Sequence, residues 1–433
     1  MSVSRREFLT QTFAAGTFVV AASRVAASDT VNVGLIGCKN MGYNDLKDMM
    51  TVPGVRCTAL CDIDDEWLNR RARDVQDATG NKPKLYKDFR KLLEQKDLDA
   101  VIIGTPDHWH CLQEVYACQA GKDVYVEKPI ANSIAECELM LRAARKYNRV
   151  VQVGQQQRSG KLWHDAIGFV KSGKLGKIRR VNVWANFNYG SGQAVVPDSP
   201  VPEGVDFDMW LGPAPERTFN KARFHGSWRM FWDYGGGLMT DWGVHLLDMV
   251  LWGMDIKGAP KTVYAGGGRF DGEGHAAETP DTLNVLYQFD DFVVTWESNG
   301  GVQSGPNGRI YGIAFVGTNG TLWADRDNWQ VIPENNPNGD GDRMDKVPPQ
   351  PTDGQSHINH VHNFIECIKT RETPAADISI GYDAAFYAQL GNVAYRSGTV
   401  LQWDENTKSF GDNAGANALL KPNYRAPWQW PEI

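Results

Sequence analysis

The sequence has little positive charge for its size, and this shortage bears on its partners. Its 45 lysines and arginines are outnumbered by 52 aspartates and glutamates, which leaves a net charge of −7 over 433 residues. Nucleic-acid binding draws on an excess of basic residues, so we expect no nucleic-acid partner. The sequence also has no internal repeat and no low-complexity linker. With 42% hydrophobic residues, it is typical of a globular protein of two domains.

Cysteines are also few, and their spacing excludes two common uses. The seven cysteines are Cys38, Cys57, Cys61, Cys111, Cys118, Cys137 and Cys367. Cys57 and Cys61 have neither the spacing of a zinc ribbon nor that of a redox pair. An odd, scattered set predicts reduced, small core residues rather than a disulfide framework.

Three histidines lie close together in the sequence without forming a metal motif. His357, His360 and His362 fall in a predicted helix, where the third side chain lies well off the face of the first two. We therefore interpret them as packing or solvated residues. We predict no metal.

Long apolar runs are absent as well, and the one near the N-terminus is too short for a membrane span. The run from Phe13 to Ala22 follows Arg5-Arg6 and precedes small residues around Ala26-Ala27. These three features in order predict a twin-arginine signal peptide over residues 1–27, cleaved near Ala27. We therefore expect the mature protein in the periplasm, with no membrane attachment.

A glycine-punctuated strand end opens the folded part of the sequence. Val31 to Ile36 is an apolar run typical of a buried parallel strand, and Gly37-x-Lys39-x-x-Gly42 follows it. A dinucleotide pyrophosphate needs such a turn at a helix N-terminus. Asp62 ends the next predicted strand, where an acid binds the ribose of NAD and disfavours a 2′-phosphate. We predict NAD as the cofactor, with NADP not excluded because basic residues lie nearby.

Short apolar runs then alternate with amphipathic stretches, which is typical of a doubly wound α/β sheet. The predicted strands are 31–37, 56–62, 99–104, 123–127 and 149–154, and the predicted helices lie near 41–51, 64–79, 87–95, 108–119 and 133–147. Residues 31–154 are thus predicted to form a Rossmann domain. Alternating runs between 260 and 333 predict a large, mostly antiparallel sheet within a second domain over 155–400. Residues 401–433 form a C-terminal tail, and the long aperiodic stretch 190–227 is predicted to be a functional loop or lid.

Two strand ends of the first domain carry candidate cofactor contacts. Thr105 and Pro106 follow the third strand, and Glu127 and Lys128 follow the fourth, so both pairs should reach the edge that holds the glycine turn. His108 is either a cofactor contact or a helix cap. A lysine at this edge can donate to a substrate hydroxyl; the structural alternative is a surface lysine before a rigid turn.

A triple glycine at Gly235–Gly237 precedes the other candidate group. Asp241 and His245 lie four residues apart in a stretch of helical period, which predicts that they share one helix face. A histidine supported by a carboxylate can take a proton from an alcohol. The structural alternative is a buried histidine held by a structural aspartate.

These segments together resemble the glucose-fructose oxidoreductase / inositol dehydrogenase (Gfo/Idh/MocA) family. The motifs VGLIGCKNMG, ALCDID, TPDHWH, VEKPIA and GGGLMTDWGVHLLD occur in that order, and the resemblance covers roughly 31–400. The family has glycine at the position of Lys39. The resemblance implies a Rossmann domain followed by an α/β domain whose open sheet mediates oligomerisation, so we expect a homo-oligomer. It also implies Lys128, Asp241 and His245 as the catalytic group.

The expected site has a cofactor side and a substrate side. The expected cofactor contacts are Gly37, Lys39, Asn40, Met41, Gly42, Asp62, Thr105, Pro106, His108, Glu127 and Lys128. The expected substrate contacts are Arg158, Trp163, Trp228, Arg229, Asp241 and His245.

Three functions fit these residues. The first is an exported NAD-dependent dehydrogenase that acts on a secondary hydroxyl of a sugar or glycoside. The second is a redox-neutral enzyme of the same family, which cleaves a glycoside by transient oxidation, elimination and re-reduction. The third is a non-catalytic protein that binds a nucleotide or a saccharide.

Overall fold

The computed structural model describes residues 30–272 and 274–433. The predicted signal peptide over 1–27 lies outside the described residues. No helix in the described part of the chain combines the length and apolar character that crossing a bilayer requires.

Residues 31–153 contribute a six-stranded, all-parallel sheet with the order β3-β2-β1-β4-β5-β6. Its strands are β1 Val31–Ile36, β2 Val55–Cys61, β3 Lys84–Tyr86, β4 Ala100–Ile103, β5 Asp123–Val126 and β6 Val151–Val153. The crossover helices are α1 Asn40–Met49, α2 Asp65–Thr79, α3 Phe89–Leu93, α4 Asp107–Gln119 and α5 Ile134–Lys146. Polar side chains start three of them, since Asp64, Asp88 and Ser133 each accept a hydrogen bond from a backbone N–H of the first turn. The predicted doubly wound fold is confirmed, and the strand order reverses between β1 and β4.

The second sheet has eight strands in the order β16-β15-β14-β13-β7-β12-β11-β9. These strands are β7 Ile178–Phe187, β9 Thr262–Gly268, β11 Thr282–Gln288, β12 Val293–Gly300, β13 Tyr311–Gly317, β14 Gly320–Ala324, β15 Asn328–Pro333 and β16 Val347–Pro351. Only the β7–β12 pair is parallel, so the predicted mostly antiparallel sheet is confirmed. The two-residue strands β8 Gln193–Ala194 and β10 His275–Ala276 pair separately.

One face of the large sheet is covered and the other is open. The remaining helices are α6 Lys161–Lys171, α7 Phe207–Leu211, α8 Gly237–Asp241, α9 Gly243–Gly253, α10 Ser356–Thr370, α11 Ile378–Ser397 and α12 Ala414–Asn417. Helices α6, α9 and α11 pack on the inner face. Along β11 the side chains of Leu283, Val285 and Tyr287 are buried, whereas Leu286 and its neighbour Tyr264 on β9 are 37% and 54% exposed.

The stretch after the triple glycine differs from its prediction. We predicted one helix with Asp241 and His245 a turn apart on one face. The helix instead breaks at Trp242, so that Asp241 ends α8 and His245 lies in α9. The Trp242 indole donates to the Tyr189 hydroxyl at 2.6 Å and its ring stacks on Phe187. These tertiary contacts fix the position of Trp242, the residue at which the helix is interrupted.

The long stretch 190–227 is ordered by contacts with the first domain. Asp206 N donates to Ile63 O at 2.9 Å, and Gly204 O accepts from both Asp65 N and Lys87 Nζ at 3.0 and 3.1 Å. The strap, as we call residues 196–227, therefore crosses the edge of the Rossmann domain next to β2 and α2.

The C-terminal segment also returns to the first domain. Leu420 O accepts from Ala135 N at 3.0 Å, and the Tyr424 hydroxyl donates to Glu136 at 2.7 Å. Trp428 packs its ring 4.8 Å from that of Trp109. The part of the segment from Leu420 to Trp428 thus contacts α4 and α5, whereas Leu401 pairs with Val263 of β9 in the second domain.

Candidate active site

A cleft lies at the carboxyl ends of β1, β2, β4 and β5, between the Rossmann domain and the strap. It coincides with the reversal of strand order, where open α/β sheets bind their ligands. Its lining includes Gly37, Lys39, Asn40, Met41, Asp62, Thr105, Pro106, Glu127, Lys128, Trp228 and Arg229.

Two glycines allow the first turn to approach β4. Gly37 has φ +90°, and a Cβ there would lie 2.7 Å from the carbonyl carbon of Gly104. A Cβ on Gly42 would lie 2.6 Å from Gly37 O. The free N–H groups of the α1 N-terminus are thereby brought to the cleft, as a pyrophosphate requires.

Lys39 stands where the resembling family has glycine, and its backbone explains why a side chain fits. It is the N-cap of α1 with φ −98° and ψ 156°, an extended conformation open to any residue. Its Nζ lies 4.9 Å from the centroid of the Trp67 ring. The side chain thus lies alongside α2, and burial lowers the pKa of its ammonium despite nearby acids.

Asp62 is positioned by the same turn. Its carboxylate accepts from Cys38 N at 2.7 Å and from Asp64 N at 3.0 Å. Burial raises the pKa of Asp62 to about 6, although these amide donors favour the ionised form. The carboxylate stands at the end of β2 and lines the cleft, where it can accept from a ribose hydroxyl.

Of the three cofactor contacts predicted after β4, Thr105 and Pro106 line the cleft and His108 does not. Thr105 and Pro106 line the cleft, and the Thr105 hydroxyl donates to Gln113 at 2.7 Å. His108 lies outside the cleft lining, with Nε2 3.1 Å from Trp210 O, and α4 is capped at Pro106 instead. The structure therefore places His108 outside the cleft lining and after the N-cap position of α4. His110, which we did not predict, lines the cleft and lies 2.8 Å from both Thr105 O and Pro129 O.

Lys128 and Asp241 meet at the border between the two domains. Lys128 Nζ donates to Asp241 Oδ1 at 2.7 Å and to its carbonyl oxygen at 2.9 Å. Arg229 and the Tyr189 hydroxyl donate to the same carboxylate at 3.1 and 2.7 Å. Burial alone would raise the pKa of Asp241, but the charges of Lys128 and Arg229 outweigh it and hold that pKa well below its usual value.

His245 is buried beside this group with a free ring nitrogen. Its Nδ1 has no hydrogen-bond partner among the described residues, and its ring lies 5.9 Å from that of Trp242. Burial, helped by the charges of Arg326 and Lys128, lowers the pKa of His245 well below its usual value, so the ring is neutral near pH 7. No hydrogen bond between described residues joins His245 to Asp241. The predicted histidine–carboxylate pair is replaced by a lysine–carboxylate pair.

Of the four other expected substrate contacts, two line the cleft and two lie elsewhere. Trp228 and Arg229 line the cleft, with the Arg229 guanidinium 4.2 Å from the Trp228 ring centroid. Arg158 instead binds the buried Asp248 through Nε at 3.0 Å and Nη2 at 2.5 Å. Trp163 is 2% exposed within the hydrophobic core, outside the cleft lining.

Sequence reasoning missed three further residues around the site, Tyr189, His225 and Arg326. Tyr189 follows β7, and its hydroxyl donates to Asp241 at 2.7 Å. His225 lies in the strap, with Nε2 2.7 Å from Asp64 Oδ2. Arg326 lies in a turn of the second sheet, 4.6 Å from the centroid of Trp242. No pattern in the neighbouring sequence marks His225 or Arg326 as a residue of the site.

The three clustered histidines occupy separate environments. His357 contacts Asp45 and Asp48 at 2.8 Å each, and His360 lies 2.8 Å from Val153 O. His362 lies 3.1 Å from the Thr51 hydroxyl. Residues 30–272 and 274–433 contain no group of three histidine, cysteine or acidic side chains that could hold a metal.

Family profiles match both domains of the chain. The profile of an oxidoreductase family described as an NAD-binding Rossmann fold matches residues 31–155. The profile of that family's C-terminal alpha/beta domain matches residues 167–291 and 342–430.

The chain is 32% identical over 150 residues to an inositol 2-dehydrogenase of Salmonella paratyphi B, covering 34% of this chain and 44% of that protein. It is 30% identical over 214 residues to a glycosyl hydrolase family 109 protein of Saccharopolyspora erythraea, covering 48% of this chain and 41% of that protein. The matched part thus spans less than half the length of either relative.

Solved structures share the fold at low identity. A levoglucosan dehydrogenase in complex with NADH and levoglucosan has a TM-score of 0.64 at 20% identity, covering 86% of this chain and 99% of that chain. An aldose-aldose oxidoreductase from Caulobacter crescentus, complexed with glycerol, has a TM-score of 0.64 at 19% identity, with the same coverage of 86% and 99%. Taken with the two profile matches, which span most of the chain, these findings show that the protein belongs to the Gfo/Idh/MocA oxidoreductase family, with an NAD-binding Rossmann domain followed by the family's C-terminal α/β domain.

Proposed function

We propose that this protein transfers a hydride between a carbon that bears a secondary hydroxyl in a sugar or glycoside and a tightly held NAD. The observation that carries the proposal is the ion pair between Lys128 and Asp241, because Lys128 lines the cleft that also holds the glycine turn and Asp62. His245 is buried close enough to this pair for the charges of both residues to act on its pKa. NAD, when bound, supplies the hydride acceptor.

The side chains have distinct roles in this proposal. The Lys128 ammonium donates to the reacting hydroxyl and stabilises negative charge on its oxygen as the proton leaves. His245, neutral and with an unpartnered ring nitrogen, receives that proton. Asp241 holds Lys128 in place by accepting a hydrogen bond from its ammonium. The aromatic face of Trp228 at the cleft suits the apolar face of a sugar ring.

The test begins with the nucleotide. Mass spectrometry of the supernatant from heat-denatured purified protein should identify NAD. Incubation of the native protein with a panel of sugars, polyols and glycosides should then raise the nicotinamide absorbance at the wavelength of NADH. A protein that retains NAD but gives no such change with any member of the panel contradicts the dehydrogenase proposal.

A second candidate function is redox-neutral cleavage of a glycoside. Two observations favour it: the similarity to glycosyl hydrolase family 109 proteins, and the strap, whose His225 and Gly204 contact the edge of the nucleotide cleft. A nucleotide enclosed there would be reduced and reoxidised in place. Chromogenic glycosides distinguish the two functions, because cleavage releases the aglycone without net NADH.

We further propose that the protein is exported through the twin-arginine route with its cofactor loaded, and that it is a homo-oligomer through the open sheet face. The Arg5-Arg6 motif supports export, and exposed Tyr264 and Leu286 support the oligomer. The double variant Arg5→Lys, Arg6→Lys tests export, because we expect it to be lost from the periplasm. Light scattering of the wild type and of Tyr264→Glu tests the interface.

A further inference from the structure

Arg326 occupies the side of the site that faces the second sheet. It lies in the turn between β14 and β15, and its guanidinium stacks on Trp242, the residue that follows Asp241. Trp242 in turn contacts Tyr311 and donates to the Tyr189 hydroxyl. Arg326 therefore borders the group that carries the proposed chemistry, on the face opposite the Rossmann domain.

The guanidinium has one edge without a partner. Both Nε and Nη2 of Arg326 are buried, and neither has a hydrogen-bond acceptor among the described residues. These two nitrogens form the side edge of the fork, whose parallel N–H bonds match the two oxygens of a carboxylate. Leaving a charged donor pair buried and unpaired is costly, so such an edge indicates a ligand that completes it.

The acidic groups nearby do not supply that partner. Asp325, next to Arg326, is paired with Arg309 and accepts from Asp327 N and Asn328 N at 2.8 and 2.9 Å. Asp327 itself is exposed to solvent.

Across the site, the Asp241 carboxylate is already held by Lys128, Arg229 and Tyr189. Burial raises the pKa of Glu127 to about 8, which leaves that side chain neutral near pH 7. The tyrosines Tyr189 and Tyr311 are neutral donors there as well. Burial also raises the pKa of the neighbouring Asp107 well above its usual value. Three cations, Lys128, Arg229 and Arg326, thus lie around the ionised Asp241.

We propose that the substrate is an acidic sugar, and that the unpartnered edge of Arg326 binds its carboxylate. This inference rests on the proposed function for the position of the sugar ring and deepens it by naming the substrate class. Arg326 as a whole is only partly buried, whereas the two nitrogens of its unpartnered edge are buried beside Trp242. A neutral sugar would satisfy single N–H groups with hydroxyls but would leave the surplus positive charge uncompensated. A carboxylate matches both the charge and the planar two-oxygen geometry.

The test compares matched ligands on the NAD-loaded full chain. Calorimetry measures the binding of D-glucuronate and D-galacturonate against glucose, galactose and glucose 6-phosphate, and the same sugars are assayed for NADH formation. Wild type should bind a uronate at least about tenfold more tightly than its neutral parent. Arg326→Gln should weaken uronate binding by about a hundredfold while changing neutral-sugar binding less than about threefold.

Two further variants separate recognition from folding. Arg326→Lys keeps the charge without the two-donor edge, so it should recover only part of the uronate affinity. Arg179→Gln removes a charge from an exposed arginine and should leave all affinities unchanged. If Arg326→Gln fails to fold, the comparison of wild type with Arg326→Lys still tests whether uronate affinity depends on the two-donor edge.

The inference is overturned if neutral sugars bind as tightly as uronates, if the sugar phosphate binds more tightly than both uronates, or if Arg326→Gln weakens all ligands equally. Oxidation of neutral sugars without uronate preference would overturn this inference alone. Arg326-dependent uronate binding with no NADH formed would instead contradict the dehydrogenase function.

Discussion

Lys128 and Asp241 are 113 residues apart in the chain, yet Lys128 Nζ lies 2.7 Å from Asp241 Oδ1. The lysine follows the last strand but one of the Rossmann sheet, and the aspartate ends a five-residue helix of the second domain. Both side chains are nearly buried, so their ion pair links the cofactor domain to the substrate domain at the site of the proposed reaction.

We expect Lys128→Met to lower kcat by about a hundredfold or more, because the donor to the reacting hydroxyl is lost. NAD content and the unfolding temperature should change much less, since Arg229 and Tyr189 still hold Asp241. Lys82→Met, at an exposed position, serves as the control. Unchanged turnover in Lys128→Met would remove the lysine from the mechanism.

The pH dependence of kcat/KM should reflect His245. The pKa of this buried imidazole is lowered, so its neutral, proton-accepting form persists below pH 6.5, and the acid limb of the profile should lie below that value. Asp241, whose pKa is lowered, stays ionised over the same range and adds no limb. Arg326→Gln removes a nearby positive charge, so the limb should move to higher pH. A limb at or above pH 6.5 in wild type would contradict this assignment.

The close approach at the first turn predicts a sharp difference between two glycines. Gly42→Ala places a Cβ 2.6 Å from a backbone oxygen, so we expect a loss of about 1–3 kcal/mol in the free energy of unfolding and weak NAD retention. Gly168 lies in α6 with open space around its Cβ position. Gly168→Ala should be neutral or stabilising by about 0.5–1 kcal/mol. Denaturant unfolding of both variants checks the pair, and similar effects would rule out the steric explanation.

The strap should slow the release of the nucleotide. His225 contacts Asp64 at 2.7 Å, and a hydrogen bond to a charged group is worth about 1.5–3 kcal/mol. His225→Ala should therefore raise the dissociation constant of NAD about tenfold or more if this contact closes the cleft. His362→Ala, at an exposed histidine, should have no effect. Nucleotide content after gel filtration, followed by titration, measures the difference; equal retention in both variants counts against the strap.

Glu114 should make stability depend on pH. This side chain is fully buried in α4, its Oε1 accepts from the Cys118 thiol, and burial raises its pKa to about 8. The folded state therefore keeps a proton that the unfolded state loses above about pH 4.3. Its contribution to stability is fully present below that pH and is lost as pH rises through about 8, at most about 1.4 kcal/mol per pH unit.

Glu114→Gln should flatten that decline between pH 5 and 8, because an amide has no proton to lose. Denaturant unfolding at three pH values measures it, with the exposed Glu94→Gln as the control. If the slope of Glu114→Gln equals that of wild type, the carboxyl is not protonated in the folded state.

The strands and helices of the first domain were predictable to within about two residues, except for β3. That strand is three residues long at a sheet edge and partly exposed, so it has no apolar run to mark it. The helix break at Trp242 was not predictable either. A period of 3.6 residues continues through it in the sequence, and only the contacts of the indole with Tyr189 and Phe187 interrupt the helix.

By itself the sequence determined the α/β fold, the family and the NAD-binding Rossmann domain. It also predicted Lys128, Asp241 and His245 as the candidate catalytic group. Each of these depends on local period, turn chemistry or motif order, all of which are carried by neighbouring residues. Only the tertiary structure decided that Asp241 pairs with Lys128 rather than His245, that Arg158 and Trp163 lie outside the cleft lining, and that His225 is part of it. It also decided that Arg326 stacks on Trp242. Those outcomes depend on side chains from distant segments meeting in space, where burial and charge select partners that the order of the residues does not encode.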